Sequence, residues 1–167
     1  MNKTFGAIAL VALLCVAVAA PVSAADPARP FAGHDRVVDT MLPPGGCPGG
    51  ASWRYSATGS GTVLHLGTAT VAVTPCTFVD MATGTGSFGP GTIVLTAANG
   101  DELHLVHRGT FRIVMGPDGP SSSFDLTWTA DGGTGRFAGA TGSGTAHGSS
   151  ILSMGITTAS YQGEIAY

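Results

Sequence analysis

From residue 51 onward the chain alternates. Apolar side chains recur at every second position, and no window shows the spacing of an amphipathic helix. The clearest stretch is residues 92–115. Ile93 and Leu95 form one apolar row, and Leu103, Leu105, His107, Phe111, Ile113 and Met115 form a second at odd positions. Asn99-Gly100 marks the reversal between them. A two-residue turn there would set Leu95 opposite His104 and mix the faces. A three-residue loop, residues 98–100 with Gly100 left-handed, sets Leu95 opposite Leu103 and Ile93 opposite Leu105, so face matching selects it. The second row runs on through Gly109 as one long strand, ended by Gly116-Pro117-Asp118-Gly119-Pro120. The next strand carries Phe124, Leu126, Trp128 and Ala130 at even positions. A turn centred on Asp118-Gly119 would place Trp128 opposite Gly109, over its missing side chain. In residues 61–74, Leu64 and Leu66 are followed by Ala69, Val71 and Val73, with a slip of phase that reads as a β-bulge at Gly67. The last strand turns Tyr161, Ile165 and Tyr167 to one face and Ser160, Gln162 and Glu164 to the other.

These patterns predict seven to nine short strands and no helix to cover a sheet face. A sheet of that extent curls on itself or splits in two, and closure removes its exposed edges. The expectation is an all-β fold, a single antiparallel β-barrel of about eight strands over residues 51–167, with a β-sandwich as the alternative. Residues 26–50 hold five prolines and five glycines and read as an irregular arm.

The N-terminus is a separate matter. Lys3 precedes an apolar run from Phe5 to Ala20, followed by Pro21-Val22-Ser23-Ala24-Ala25. This is the pattern of a secretory signal peptide over residues 1–25, and it predicts a secreted chain with no membrane attachment after processing. The retained pair Cys47 and Cys76 then reads as a structural disulfide.

Lys3 is the chain's one lysine. Beyond the leader, six arginines face ten acids, a net charge near −4. That composition excludes lysine chemistry and the cationic footprint that nucleic acids require. No cluster of His, Cys and acids has metal-ligand spacing, and no cofactor is expected. His104 and His107, three apart on a strand, point to opposite faces and cannot share a metal. His107 falls in the apolar row and reads as an interior histidine with its hydrogen bonds satisfied; alternatively it lines a ligand cavity with Trp128. Phe111 and Tyr161 belong to the same inward set. Asp125 and Asp131 are expected outside, and Arg136 reads as structural.

The most distinctive stretch is GGTGRFAGATGSG, residues 132–144. Gly133-x-Gly135-x-x-Ala138 matches a loose dinucleotide fingerprint, but it opens no helix and lies in no βαβ unit. Gly132, Gly133, Gly135, Gly139 and Gly142 instead suit a tight barrel corner with Phe137 tucked inward. This run, with LTAANGDEL at residues 95–103, resembles the glycine signature of the allene-oxide-cyclase and dirigent barrel superfamily, in particular its small secreted bacterial proteins of unassigned function. The resemblance spans roughly residues 61–167. It implies an eight-stranded antiparallel barrel with a cavity, often trimeric in plant members. Thr141 stands where dirigent proteins usually carry a cavity arginine.

The expected function is that of a secreted barrel binding a small apolar or aromatic molecule without catalysis, through His107, Trp128, Phe111 and Tyr161. Two alternatives stay open. One is a cyclase, isomerase or dirigent-like enzyme, which needs a lumen with at least two convergent polar groups. The other is an extracellular structural or interaction protein, a homo-oligomer joined through a barrel face.

Overall fold

The computed structural model describes residues 26–167; the segment read as a signal peptide lies outside them. Nine strands follow in order: β1 (Arg29–Leu42), β2 (Trp53–Val63), β3 (Gly67–Thr74), β4 (Cys76–Asp80), β5 (Thr85–Ala97), β6 (Glu102–Gly116), β7 (Gly119–Gly133), β8 (Thr141–Ile151) and β9 (Ile156–Ala166). One short 3-10 turn, Gly135–Phe137, lies between β7 and β8. The sheet runs β1-β9-β8-β7-β6-β5-β3-β2, and a β1–β2 pairing closes it into an antiparallel barrel of eight. The short β4 is the extra strand. It resumes past Pro75 where β3 ends, bonded to β2 on one side and to β5 on the other.

The strands are strongly staggered. A row of paired residues leaves β5 at Leu95 and passes through Val71, Gly59, Val37, Thr157, Ser150, Ser122 and Ile113. It returns at Gly84, just before β5 begins, where the Ile113 amide donates to the Gly84 carbonyl at 2.7 Å. Such stagger tilts the strands and sets the lumen width.

The loop at residues 98–100 forms as expected: Leu95 pairs with Leu103, Ile93 pairs with Leu105, and Gly100 has φ 88°. The Cys47–Cys76 disulfide is present, joining the β1–β2 connection to the start of β4.

Three expectations are corrected. The segment 29–42 is not an irregular arm but a full strand, β1, and it closes the barrel. Its prolines and glycines cluster mostly beyond Leu42, which leaves the strand itself free to pair. The phase slip near Gly67 is not a bulge within one strand. It is a tight turn, residues 64–66, with Val63 paired to Gly67. The β6–β7 turn is Pro117-Asp118, because Gly116 pairs with Gly119. Proline's fixed φ suits the first central position of such a turn, and glycine suits the residue after it. The register therefore shifts by two residues: Trp128 pairs with His107, and Gly109 with Leu126.

Large rings turn into the lumen because glycines face them. Phe88 pairs with Gly109, Phe111 with Gly86, Phe124 with Gly148 and Trp128 with Gly144. In each pair, a side chain on the glycine would collide with the ring. Phe31, Leu95, Leu103, Trp128, Phe137 and Ile165 pack one end of the barrel solid. The glycine corner closes that end. Phe137 is tucked inward against Tyr167, ring centroids 4.8 Å apart. Arg136 lies outside and ties the loops together, donating to Asp101 at 2.9 Å and to the His65 carbonyl at 3.0 Å. Gly135 has φ 58°, and any side chain there would run into Asp101.

Two outcomes follow for stability. Replacing Cys47 and Cys76 by serine should cost about 3.5 kcal/mol, the chain-entropy value for a loop of this size, measured by denaturant unfolding. Gly109→Val should lose roughly 1–3 kcal/mol or more, because its Cβ would run into the Asp125 carbonyl and the Phe88 ring, whereas Thr110→Val, on the outer face, should change stability little.

Candidate functional site

The other end of the lumen is hollow. A cavity of about 160 Å³ lies where β1, β4, β6 and β8 finish and β2, β5, β7 and β9 begin. A dry engineered cavity of roughly 150 Å³ accepts benzene, so there is room for one small ring. The wall is mostly apolar, with Val37, Ala57, Val73, Ile93, Ile113 and Leu126 among its members. Phe88 centres an aromatic group, with Phe111 at 6.3 Å, Phe124 at 5.9 Å and the His107 imidazole at 5.6 Å between centroids. Trp53 and Tyr55 line the wall from β2. Met41 and Met115 near the ends of β1 and β6, and Met81 and Met154 in the β4–β5 and β8–β9 connections, are the chain's methionines after Met1, and all four are exposed at this end. The mouth therefore has a flexible apolar collar.

The polar groups come mainly from β1 and β9. Asp35 is 4% exposed and accepts a short hydrogen bond from the Tyr161 hydroxyl. Burial raises its pKa above the ordinary carboxyl value, against the lowering effect of that bond and of the Ala159 amide. Burial likewise raises the pKa of Asp39, which accepts from Thr157 at 2.5 Å. Thr157 has one proton and gives it to Asp39, so Ser150, 2.6 Å away, donates to Thr157. The Tyr161 hydroxyl is pushed well above its usual range by burial and by Asp35, and Tyr55 is raised by burial and by Asp39.

His107 is where the expectation of a satisfied interior histidine fails. It is 2% exposed, and neither ring nitrogen has a hydrogen-bond partner. The register shift in β5 between Phe88 and Gly91 sets Gly91 opposite it, and the ring fills the space left by the missing side chain; a Cβ there would lie 2.7 Å from Nε2. Burial lowers its pKa to about 4, so the ring is neutral at pH 7.

Of the four lumen residues expected from sequence, His107, Phe111 and Tyr161 line the cavity and Trp128 does not. Trp128 sits in the packed layer, edge-on to Phe31 at 5.0 Å, with Nε1 donating to the Thr145 carbonyl at 3.2 Å. The two-residue register shift moved it there. Sequence reasoning missed Asp35, Asp39, Trp53, Tyr55, Phe88 and Phe124 as wall residues. Alternation from Phe31 through Asp35 and Val37 to Asp39 was the available signal for β1, but acids at inward positions obscured it. His104 points outward to Glu102 at 2.8 Å, as its spacing from His107 requires. Asp125 and Asp131 are exposed.

No protein-family model matches the chain, and no curated protein or solved structure matches it either. Among the described residues, no group of three or more His, Cys, Asp or Glu could hold a metal ion.

His107→Leu removes a buried polar group that has no partner and should stabilise the unliganded protein by roughly 1–3 kcal/mol at pH 7. The pH dependence has a definite sign. The folded pKa of His107 lies below its unfolded value of 6.5, so the unfolded chain binds the proton more readily and stability falls as pH drops from 6.5 toward 4. Asp35 and Asp39, with raised folded values, act in the opposite direction over acid pH. Urea unfolding of wild type and His107→Leu isolates the histidine. The advantage of the variant should grow by about 3 kcal/mol over that window.

Proposed function

We propose that this is an exported β-barrel that holds one small apolar or aromatic molecule in the open half of its lumen. The observation that carries the reading is His107: a buried imidazole with two unpartnered nitrogens on the wall of an apolar cavity. Buried polar groups are nearly always satisfied, so such a group on a cavity wall points to a bound partner. Export is supported by the N-terminal sequence pattern and by the disulfide, which suits an oxidising compartment. Among the described residues no helix is long and apolar enough to cross a membrane. The glycine corner and the closed barrel of eight support the likeness to the allene-oxide-cyclase and dirigent superfamily, which bears on architecture rather than on activity.

A second reading, an isomerase or cyclase, is favoured by one observation. The lumen holds convergent polar groups, with the Asp35–Tyr161 pair on one wall and His107 on another. Turnover of a ring ketone or enol that stops in His107→Leu and Asp35→Asn would separate it from simple binding.

The binding reading is tested through Trp53, which lines the cavity. In a Trp128→Phe background Trp53 is the only tryptophan. Its emission should change saturably with one or more single-ring compounds, and Ala57→Phe, which fills the cavity from its wall, should abolish the response. Absence of any saturable change across neutral and charged ring compounds would refute the chamber.

A further inference from the structure

The polar part of the wall is one-sided in its chemistry. It presents two carboxyl groups, Asp35 and Asp39, together with hydroxyls and the neutral ring of His107. No arginine lines the cavity, and the only lysine is Lys3. Among the described residues Arg136 pairs with Asp101 and His104 contacts Glu102, and neither pair involves a lumen acid. Buried acids ordinarily have a cation beside them. Here the buried Asp35 has the Tyr161 hydroxyl, the Ala159 amide and a favourable charge effect from His34 on its own strand, and the half-buried Asp39 has the Thr157 hydroxyl; among the described residues no arginine or lysine pairs with either.

The geometry points to a small organic ammonium ion as the ligand, an amine carried on one apolar or aromatic ring. This rests on reading the hollow lumen as a binding chamber, and it names the ligand's class. The ammonium group would lie at the β1 wall against the buried Asp35, with Asp39 two inward positions nearer the mouth, beyond Val37, adding attraction at longer range. Trp53 and Tyr55 on the neighbouring β2 add aromatic surface, which favours a desolvated cation. The ring would lie against Phe88, Phe111 and Phe124, which stand on β5, β6 and β7 across the barrel. The unprotonated nitrogen of His107 is an acceptor and suits a donor on the ligand. A carboxylate or phosphate ligand meets the reverse of what it needs: two acids and no cation.

The charge state of the wall decides the pH behaviour. Around Asp35 the titratable groups are Tyr161 on β9 and His34 and Asp39 on its own strand; Tyr55 on β2 flanks Asp39, and His107 faces the lumen from β6. As pH falls, both acids lose charge and His107 gains it, so every change weakens the hold on a cation.

Titration calorimetry with benzylamine, benzyl alcohol and toluene tests the inference, since the three share a ring and differ in the polar group. Benzylamine remains protonated between pH 4 and 7. At pH 7 it should bind roughly tenfold or more tighter than benzyl alcohol. The preference should shrink toward pH 4 and be lost in Asp35→Asn, with Asp39→Asn weakening it in the same sense. Should Asp35→Asn fail to fold, the wild-type pH profile and Asp39→Asn decide. Equal binding of benzylamine and benzyl alcohol would overturn the ammonium assignment and leave the chamber standing. So would an amine preference that is flat with pH and survives both substitutions. No binding of any of the three compounds would overturn the chamber and the assignment together.

Discussion

β1 is hydrogen-bonded along both edges, to β2 from Gly33 to Leu42 and to β9 from Arg29 to Val38. This double pairing turns a staggered meander into a tube, and each later feature depends on it. Without β1 the sheet has two free edges and no interior, since a lumen exists only where inward faces on opposite sides of the sheet meet. The same strand supplies both lumen acids. The element that closes the barrel therefore also brings its charge inside, and Tyr161 and Thr157 on the adjoining β9 meet those acids with hydroxyls.

The lumen is divided by side-chain size. At the glycine corner, Phe31, Leu95, Leu103, Trp128, Phe137 and Ile165 fill the cross-section. Toward the mouth Phe88, Phe111 and Phe124 reach over glycines on neighbouring strands, and a cavity remains among the residues that line it. Glycine in a strand weakens the strand itself, but here it gives a ring a place to lie. The packed half supplies rigid support, and the hollow half keeps polar groups that a solid core would exclude. His107 and Asp35 are each costly to bury without a partner of suitable charge or hydrogen-bonding capacity. Both stand on the wall of the cavity, Asp35 bonded to Tyr161 and His107 without a partner.

Much of the framework was legible in the sequence because it is local. Period-two alternation marks strands wherever one face is buried; it marked β6 almost to its end and the middle of β7, which runs on at both ends into the residues read as turn and corner. Face matching selected the loop at residues 98–100 because a one-residue error there would reverse every side chain of β6. The glycine run announced a corner with Phe137 inside. Local reading failed where turn chemistry was misjudged: residues 64–66 form a turn, and Pro117-Asp118 rather than Asp118-Gly119 centres the next one. The second error was enough to take Trp128 out of the cavity wall.

By itself the sequence determined the strand-rich class, the inward row through Leu105, His107 and Phe111, the opposite faces of His104 and His107, and the absence of any lysine from the described residues. Each of these depends on neighbours a few positions apart or on composition. Only the tertiary structure decided that residues 29–42 are a strand, that Asp35 and Asp39 face inward, that Tyr161 reaches Asp35 across 126 positions of chain, and that His107 has no partner. The reason is that a barrel wall is assembled by closure and stagger. Which residues share the lumen depends on pairings between distant strands, and no local pattern encodes them.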